Sequence, residues 1–390
     1  MKIAMVTTHP IQYQVPWLRL LSAEPGINLT VYFAMVPDAL EQGREFGVAF
    51  SWDVPLLDGY RHVVLRNVAP RPSLTEFSGC DTPDIIDIIR REKFDAVIVN
   101  GWGTKTVLQA LWGCVRSGTP CIFRGEVNGL TARPWWKRLA HRALLSRYAA
   151  ILCIGRANRA YCEARGVPAE KLFDTPYCVD NSFFSVRAEA LRRDPGREAI
   201  RRHFGLDPIA PTFLFCGKLV PKKRPQDLIE AVRVLTQNEI AVQALIVGAG
   251  PMSQALTAQA QGLPVRFAGF LNQGDMSRAY AASDALVLPS DAGETWGLVV
   301  NEAMACGLSA IVSDRVGCAE DLVDRSTGGV FACGNVAALA GEMQRLAIET
   351  TLWETQEAAL ARVQDYRFDN VVVGCRRALA HVFERARRHR

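Results

Sequence analysis

In the stretch "SDAGETWGLVVNEAMACGLSAIV" (290–312), Glu294 and Glu302 bracket seven residues that are mostly small or apolar. An ionised carboxylate is a bidentate acceptor for vicinal hydroxyls, so two of them suit a polyhydroxylated ligand. The preceding run "DALVLPS" (284–290) reads as a strand ended by Pro289 and Ser290. "DAGE" is then a loop, and a helix is predicted from near Thr295 to about Ala305, with Gly307 as its C-terminal cap. On that reading Glu294 lies at the lip of the helix, and Glu302 about 12 Å further along its axis. The N–H groups of Trp296, Gly297 and Leu298 fall in the first turn, where they lack helical partners. With the helix dipole they form an anion site suited to a diphosphate. Gly293 and Gly297 let a ligand approach the backbone. A nucleoside diphosphate sugar is long enough to use all of these: phosphates at the helix start, the sugar on one carboxylate, the ribose diol on the other. Two surface acids on an amphipathic helix would give the same spacing.

A second stretch supplies cations. In "FCGKLVPKKRPQDLIEA" (215–231) Gly217 permits a tight turn after a strand, and Lys218 and Lys223 lie in the loop before a helix near Pro225. Negative charge builds on a departing diphosphate, and fixed positive groups stabilise it there. Lys222 and Arg224 read as solvated members of the same basic loop.

The elements that must position these groups alternate along the chain. Apolar runs at 2–8, 29–35, 95–101, 120–126 and 150–155 read as strands, with helix-length segments such as "GTKTVLQALWGCVRSG" between them. Strands apolar throughout and separated by helices imply a parallel sheet covered on both faces. Residues 186–210 are polar and Arg-rich, with Pro195 and Gly196 in the middle, and read as a linker. The alternation resumes at 212–218, 243–250, 264–270, 284–290 and 309–314. The fold class is therefore α/β, with two Rossmann-like doubly wound domains, 1–185 and 211–365, expected to face a central cleft. The 390 residues suit two cores.

Composition narrows the function classes. The net charge of +5 gives no reason to expect nucleic acid, though the last fifteen residues hold six Arg and one Glu. No apolar run reaches the ~18 residues of a membrane span, and no signal peptide is evident. The eleven Cys contain no CxxC spacing and read as buried free thiols, with neither a disulfide framework nor a metal site. A cytoplasmic location is expected. "IVGAGP" (246–251) lacks the third glycine of a dinucleotide fingerprint, which counts against a dehydrogenase.

The segment "SDAGETWGLVVNEAMACGLSAIVSD" resembles the signature of the retaining glycosyltransferases of family four, which have the GT-B fold: Glu, seven residues, Glu, with aromatic-Gly-Leu after the first acid. The resemblance implies that Glu294 contacts the donor hexose and Glu302 the ribose, that no metal or other cofactor takes part, and that a UDP-, GDP- or ADP-sugar is the donor. The family's Gly-Arg-Leu and Lys-Gly pattern places Lys218 at the Arg position and Lys223 at the Lys position, with Arg224 where the family has Gly. "FAGFLNQGDM" (267–276) resembles the segment that meets the nucleobase, which suggests Phe270 and Leu271, although Phe270 is equally suited to the core. The family's last helix crosses back to the first domain, a role for residues 366–390. A glycan or lipid-linked acceptor in cell-envelope or exopolysaccharide synthesis is the expected partner. A sugar-nucleotide epimerase of the same build and a non-catalytic nucleotide-sugar-binding protein are the alternatives.

The first domain is expected to select the acceptor. "TTHPIQYQVPWLRLL" (7–21) presents His9 at a strand end, suited to a phosphate, an acceptor or a proline turn. "FRGEVNG" (123–129) offers Arg124 and Glu126, to orient an acceptor hydroxyl or to pair with each other. "ARPWWKRLAHRALLSRYA" (132–149) is basic and aromatic, suited either to an anionic membrane surface or to packing as an ordinary domain helix.

Overall fold

A computed structural model describes residues 1–43, 49–52, 54–348 and 352–388. The chain divides into two compact units, residues 1–41, 54–177 and 368–390 in the first and 42–53 and 178–367 in the second.

The first unit is built on seven strands: β1 (Lys2–Thr7), β2 (Asn28–Phe33), β3 (Arg61–Val64), β4 (Ala96–Asn100), β5 (Cys121–Arg124), β6 (Ala150–Cys153) and β7 (Leu172–Asp174). All pair in parallel, in the order β3-β2-β1-β4-β5-β6-β7. The second unit has six: β8 (Thr212–Cys216), β9 (Gln243–Val247), β10 (Val265–Gly269), β11 (Ala285–Leu288), β12 (Ser309–Ser313) and β13 (Gly328–Phe331). They too are parallel, in the order β10-β9-β8-β11-β12-β13. Each sheet reverses direction of winding once, between β1 and β4 and between β8 and β11. Ligands of open α/β sheets bind beyond the carboxyl ends of strands at such a point.

The strands are apolar because helices cover both faces. Ile3, Ala4, Met5 and Val6 of β1 are buried, as is every residue of β11. The helix Pro225–Gln237 buries Leu228, Ile229, Val232 and Leu235 in one core with Phe213, Phe215 and Ile246. Each such side chain contributes about 1.5–3 kcal/mol on leaving water. The ten strands expected from the sequence all form. The short strands β3, β7 and β13 were not anticipated; three or four residues are too few to carry a pattern. The last helix, Phe368–Arg388, packs on the helix Val15–Ala23 and on β6 and β7 of the first unit. Residues 389–390 lie outside the described residues.

The expected linker at 186–210 requires correction. It continues the helix Asn181–Leu191 and then forms the helix Arg197–His203, and it belongs to the second unit. The Arg residues serve a buried carboxylate. Arg201 Nη2 donates to Asp284 Oδ2 at 2.6 Å and Arg197 Nη2 to Asp284 Oδ1 at 2.5 Å. Arg201 also donates to the carbonyls of Ala282 and Pro208, and Thr212 N donates to the same Asp284 Oδ2 at 2.7 Å. The polar composition that suggested solvent reflects an internal ion-pair network at the start of β8 and β11.

Candidate active site

Two loops meet beyond the switch point of the second sheet. One leaves β8 at Gly217, whose N–H donates to Val247 O while its φ is +152°. It carries Lys218 and turns through Pro221–Lys223. The helix Pro225–Gln237 follows, and its N-cap, Arg224, is left-handed at φ +50°. Arg224 holds that conformation with both prongs of its guanidinium on Asp227, at 2.7 and 3.1 Å. A family pattern with Gly at this position is explained by the same backbone geometry. Arg224 is thus an ion-paired cap of the helix and not a solvated loop residue.

The other loop leaves β11 at Leu288 and passes through buried Ser290. Asp291 N donates to Lys222 O at 2.8 Å, which ties the two loops together. Gly293 N donates to Asp291 Oδ1, and Glu294 N to Asp291 O. This places the Glu294 carboxylate against Lys223: Nζ donates to Oε2, and Ser290 Oγ donates to the same oxygen at 3.2 Å. Both side chains are mostly shielded, 15% and 13% exposed, so the pair is stronger than a surface ion pair.

The helix after this loop starts at Leu298, later than the sequence suggested, and ends at Ala305 as expected. Gly297 is its N-cap at φ +102°, wedged where a Cβ would meet Leu288 Cδ2 at 2.9 Å and Val316 Cγ1 at 3.2 Å. The first-turn N–H groups are therefore those from Leu298 onward, with Thr295 and Trp296 in the loop. Trp296 is buried, its Nε1 donating to Asn301 Oδ1 at 2.8 Å, so its indole fixes the loop. Glu302 lies only four positions beyond Leu298, the first residue of the helix, so the 12 Å helical spacing between the carboxylates does not apply.

Glu302 faces a different partner. Tyr280 OH donates to its Oε2 at 2.5 Å. Burial raises the Glu302 carboxyl to about 7, against the opposing pull of the Tyr280 hydrogen bond. Neither Tyr280 nor Ser290 was singled out from sequence. Tyr280 lies on the helix Gln273–Ala282, and its register there resembles any core tyrosine.

Gly248 N donates to Gly269 O at 2.8 Å, which joins the β9 turn to β10. A Cβ on Gly248 would run into Gly217 O, and one on Gly250 into the Leu219 backbone. These glycines are needed for backbone to meet backbone. Next to them Phe270 packs its ring 4.7 Å from Phe50, and Asn272 Nδ2 donates to Ser51 O at 3.1 Å. Phe270 is thus engaged in packing, with Leu271 half-buried beside it.

In the first unit His9 is held by Thr8 Oγ1 at 2.9 Å, and burial lowers it to about 4, so it is neutral at ordinary pH. Arg124 is 1% exposed and lies between the rings of Trp17 and Tyr177, at 5.2 and 4.6 Å. Among the described residues its Nε and Nη1 have no hydrogen-bond partner. Glu126 accepts from Tyr177 OH at 2.5 Å and is reached by Tyr13 OH at 3.5 Å. The ring sandwich and the tyrosine pair replace the simple Arg–Glu bridge that the sequence left open.

All eleven cysteines are free, and ten are buried. No helix among the described residues is long and apolar enough to cross a membrane.

Residues 196–359 match the family model "Glycosyl transferases group 1". The chain is 26% identical over 206 residues to the GDP-mannose-dependent alpha-(1-6)-phosphatidylinositol dimannoside mannosyltransferase of Mycobacterium tuberculosis, covering 53% of this chain and 51% of that protein. It is 33% identical over 247 residues to the phosphatidyl-myo-inositol mannosyltransferase of Mycobacterium leprae, covering 63% and 58%. The chain thus spans little more than half the length of these curated relatives. Among solved structures, Anabaena Alr3699/HepE in complex with UDP aligns with a TM-score of 0.71 at 18% identity, over 97% of this chain and all of that one. That likeness establishes the fold, the GT-B class of two doubly wound lobes.

Proposed function

We propose that this chain, whose residues 196–359 match the model of the glycosyl transferases group 1, belongs to that family and moves a hexose from a nucleoside diphosphate sugar to an acceptor hydroxyl with retention of configuration. The observation that carries this reading is the meeting of Lys223 and Glu294 at the switch point of the second sheet, beside the N-terminus of Leu298–Ala305. A cation and a carboxylate paired a few residues ahead of a helix start support the reading of a site for an anionic, polyhydroxylated ligand.

In the proposed mechanism Lys218, Lys223 and the N–H groups at Leu298 hold the diphosphate, with Gly217, Gly293, Thr295 and Gly297 shaping the approach. Glu294 exchanges its contact with Lys223 for the hexose hydroxyls, which releases the ammonium to the phosphate. Glu302 binds the ribose diol, and Leu271 with the Phe270 backbone borders the base. The acceptor oxygen bonds to the anomeric carbon on the face from which the diphosphate departs. The carbon–oxygen bond to the phosphate breaks, and the acceptor proton passes to the leaving phosphate oxygen. No metal is invoked, because Lys218 and Lys223 are the proposed counter-charges.

The acceptor is proposed to be a glycan or a lipid-linked glycan of the cell envelope, a reading supported by relatives named for phosphatidylinositol-based transfer. Arg124, Glu126 and His9 of the first unit are the proposed acceptor-side groups. A cytoplasmic location is supported by the free thiols.

The test is a donor screen. Purified protein meets a panel of UDP-, GDP- and ADP-sugars beside a Glu302→Ala variant, with nucleotide release and product mass recorded. Slow hydrolysis of one donor, lost in the variant, is expected. Conversion of a donor to its epimer, with no nucleotide released, would replace transfer by epimerisation.

A further inference from the structure

The chain enters the second unit at residue 178 and leaves it after residue 367. Asn181 and Tyr366 tie these two places together: Asn181 Nδ2 donates to Val363 O at 3.0 Å and to Tyr366 O at 3.2 Å. Asn181 is itself held as the first residue of the helix Asn181–Leu191, whose cap Asp180 accepts from Phe183 N at 2.9 Å. With its backbone fixed, Tyr366 reaches the loop that carries Glu294 by two routes. Its ring lies 6.0 Å from that of buried Trp296, centroid to centroid, at 41°. Its hydroxyl lies 3.2 Å from both Asp321 O and Asp321 Oδ1. Asp321 belongs to the short helix Ala319–Leu322, and its N–H donates to Cys318 O at 3.1 Å. Cys318 N donates in turn to Trp296 O, and Gly317 N to Glu294 O, both at 3.0 Å.

The Glu294 loop has no regular secondary structure between Leu288 and Leu298, so its shape is set by what packs on it. A Cβ on Gly317 would meet Thr295 O at 1.8 Å: the two backbones are in contact, and a shift of one moves the other. A misplacement of about 1 Å at a reacting group costs about 100-fold in rate, so whatever holds this loop bears on turnover. We propose that Tyr366 is a positioning residue for Glu294, acting through Trp296 and the 317–321 turn to fix the backbone from which the carboxylate projects. A tyrosine serves where phenylalanine would not, because the ring addresses one route and the hydroxyl the other. The inference rests on the transferase reading for its kinetics alone, since the hold on the loop is measurable without donor.

The test joins amide hydrogen exchange of the full chain, read without donor, to kinetics. Tyr366→Leu removes both routes and Tyr366→Phe the hydroxyl alone. In Tyr366→Leu the amides of 294–298 and 317–321 should exchange about tenfold faster than in the wild type, while those of 213–216 within the sheet keep their rate. In Tyr366→Phe the rise should be confined to 317–321, because the ring still rests on Trp296. For the donor that the wild type hydrolyses, kcat should fall by about 10- to 100-fold in Tyr366→Leu and about threefold in Tyr366→Phe. The dissociation constants of free UDP and GDP should stay at the wild-type values, since neither carries a hexose for Glu294 to hold. Tyr366 is half-buried, so both variants should fold; if Tyr366→Leu does not, Tyr366→Phe decides through the exchange of 317–321. Exchange unchanged in both variants, or raised equally at 213–216, overturns the proposal. So does a wild-type kcat in Tyr366→Leu, or a loss of nucleotide affinity as large as the loss of kcat. A wild type that turns over no donor counts against the transferase reading, and the exchange result then still decides whether Tyr366 holds the Glu294 loop.

Discussion

Tyr280 donates its hydroxyl to Glu302 at 2.5 Å, inside a surround that raises this carboxyl to about 7. Burial, against the pull of the Tyr280 bond, brings the proposed ribose ligand close to neutrality. An ionised carboxylate accepts from a diol better than a protonated one, so donor KM should fall as pH rises from about 6 to about 8. The midpoint reports Glu302: Glu302→Gln flattens the profile, and Tyr280→Phe moves it to higher pH by removing a bond that favours the charged form. A KM profile unchanged by either variant would disprove the assignment.

The same shift affects stability. A carboxyl raised in the folded state binds more protons there than in the unfolded chain. It therefore costs nothing below its ordinary value, 4.5, and costs progressively more until about 7, where the folded form is ionised. Wild type should thus lose stability relative to Glu302→Gln across that window, with a constant difference above it. Urea unfolding at pH 4, 6 and 8, compared between the two proteins, measures this.

Lys223 has two duties that substitution separates. Lys223→Ala leaves the shielded Glu294 carboxylate without its cation, so the variant should be both less stable and about 100- to 1000-fold slower in kcat. Lys223→Met with Glu294→Gln removes both charges, and should recover the thermal midpoint but not turnover. Recovered turnover in the double variant would mean that the pair is structural only.

Asp284 is the anchor of the Arg-rich helix. Asp284→Ala strands the buried Arg201 and should cost about 3–5 kcal/mol, read from the urea midpoint. Arg193→Ala, at an exposed pair with Glu189, should change stability by less than about 0.5 kcal/mol.

Gly248→Ala forces a Cβ into Gly217 O at a backbone φ of +138°. Relief requires the Gly217–Lys223 loop to shift, so kcat/KM should fall by more than tenfold. Gly262→Ala is strained at φ +76° but meets nothing within 4 Å. It should lose some stability and keep its kinetics.

The sequence by itself determined the features that are local. Alternating apolar runs and helix-length segments announced two doubly wound sheets, and each strand–turn–helix unit placed its glycine, lysine or glutamate at a strand end. Those signals lie within a few residues of one another, so backbone propensity and covalent order suffice to express them. Only the tertiary structure decided what faces what. Lys223 meets Glu294 because β8 and β11 are neighbours in the sheet although far apart in the chain. Glu302 is raised toward neutrality because the surrounding core excludes water from it, while a tyrosine from another helix pulls the other way. Gly297 delays the helix because Leu288 and Val316 crowd its backbone. Residues 186–210 look like a solvated linker until Asp284, some 80 residues later, supplies the buried charge that their arginines bind. Trp135 and Trp136 look like core until Leu145 and Tyr148 take the inward side and leave them exposed. Each of these outcomes depends on burial and on partners distant in sequence, and neither is a property of residue order alone.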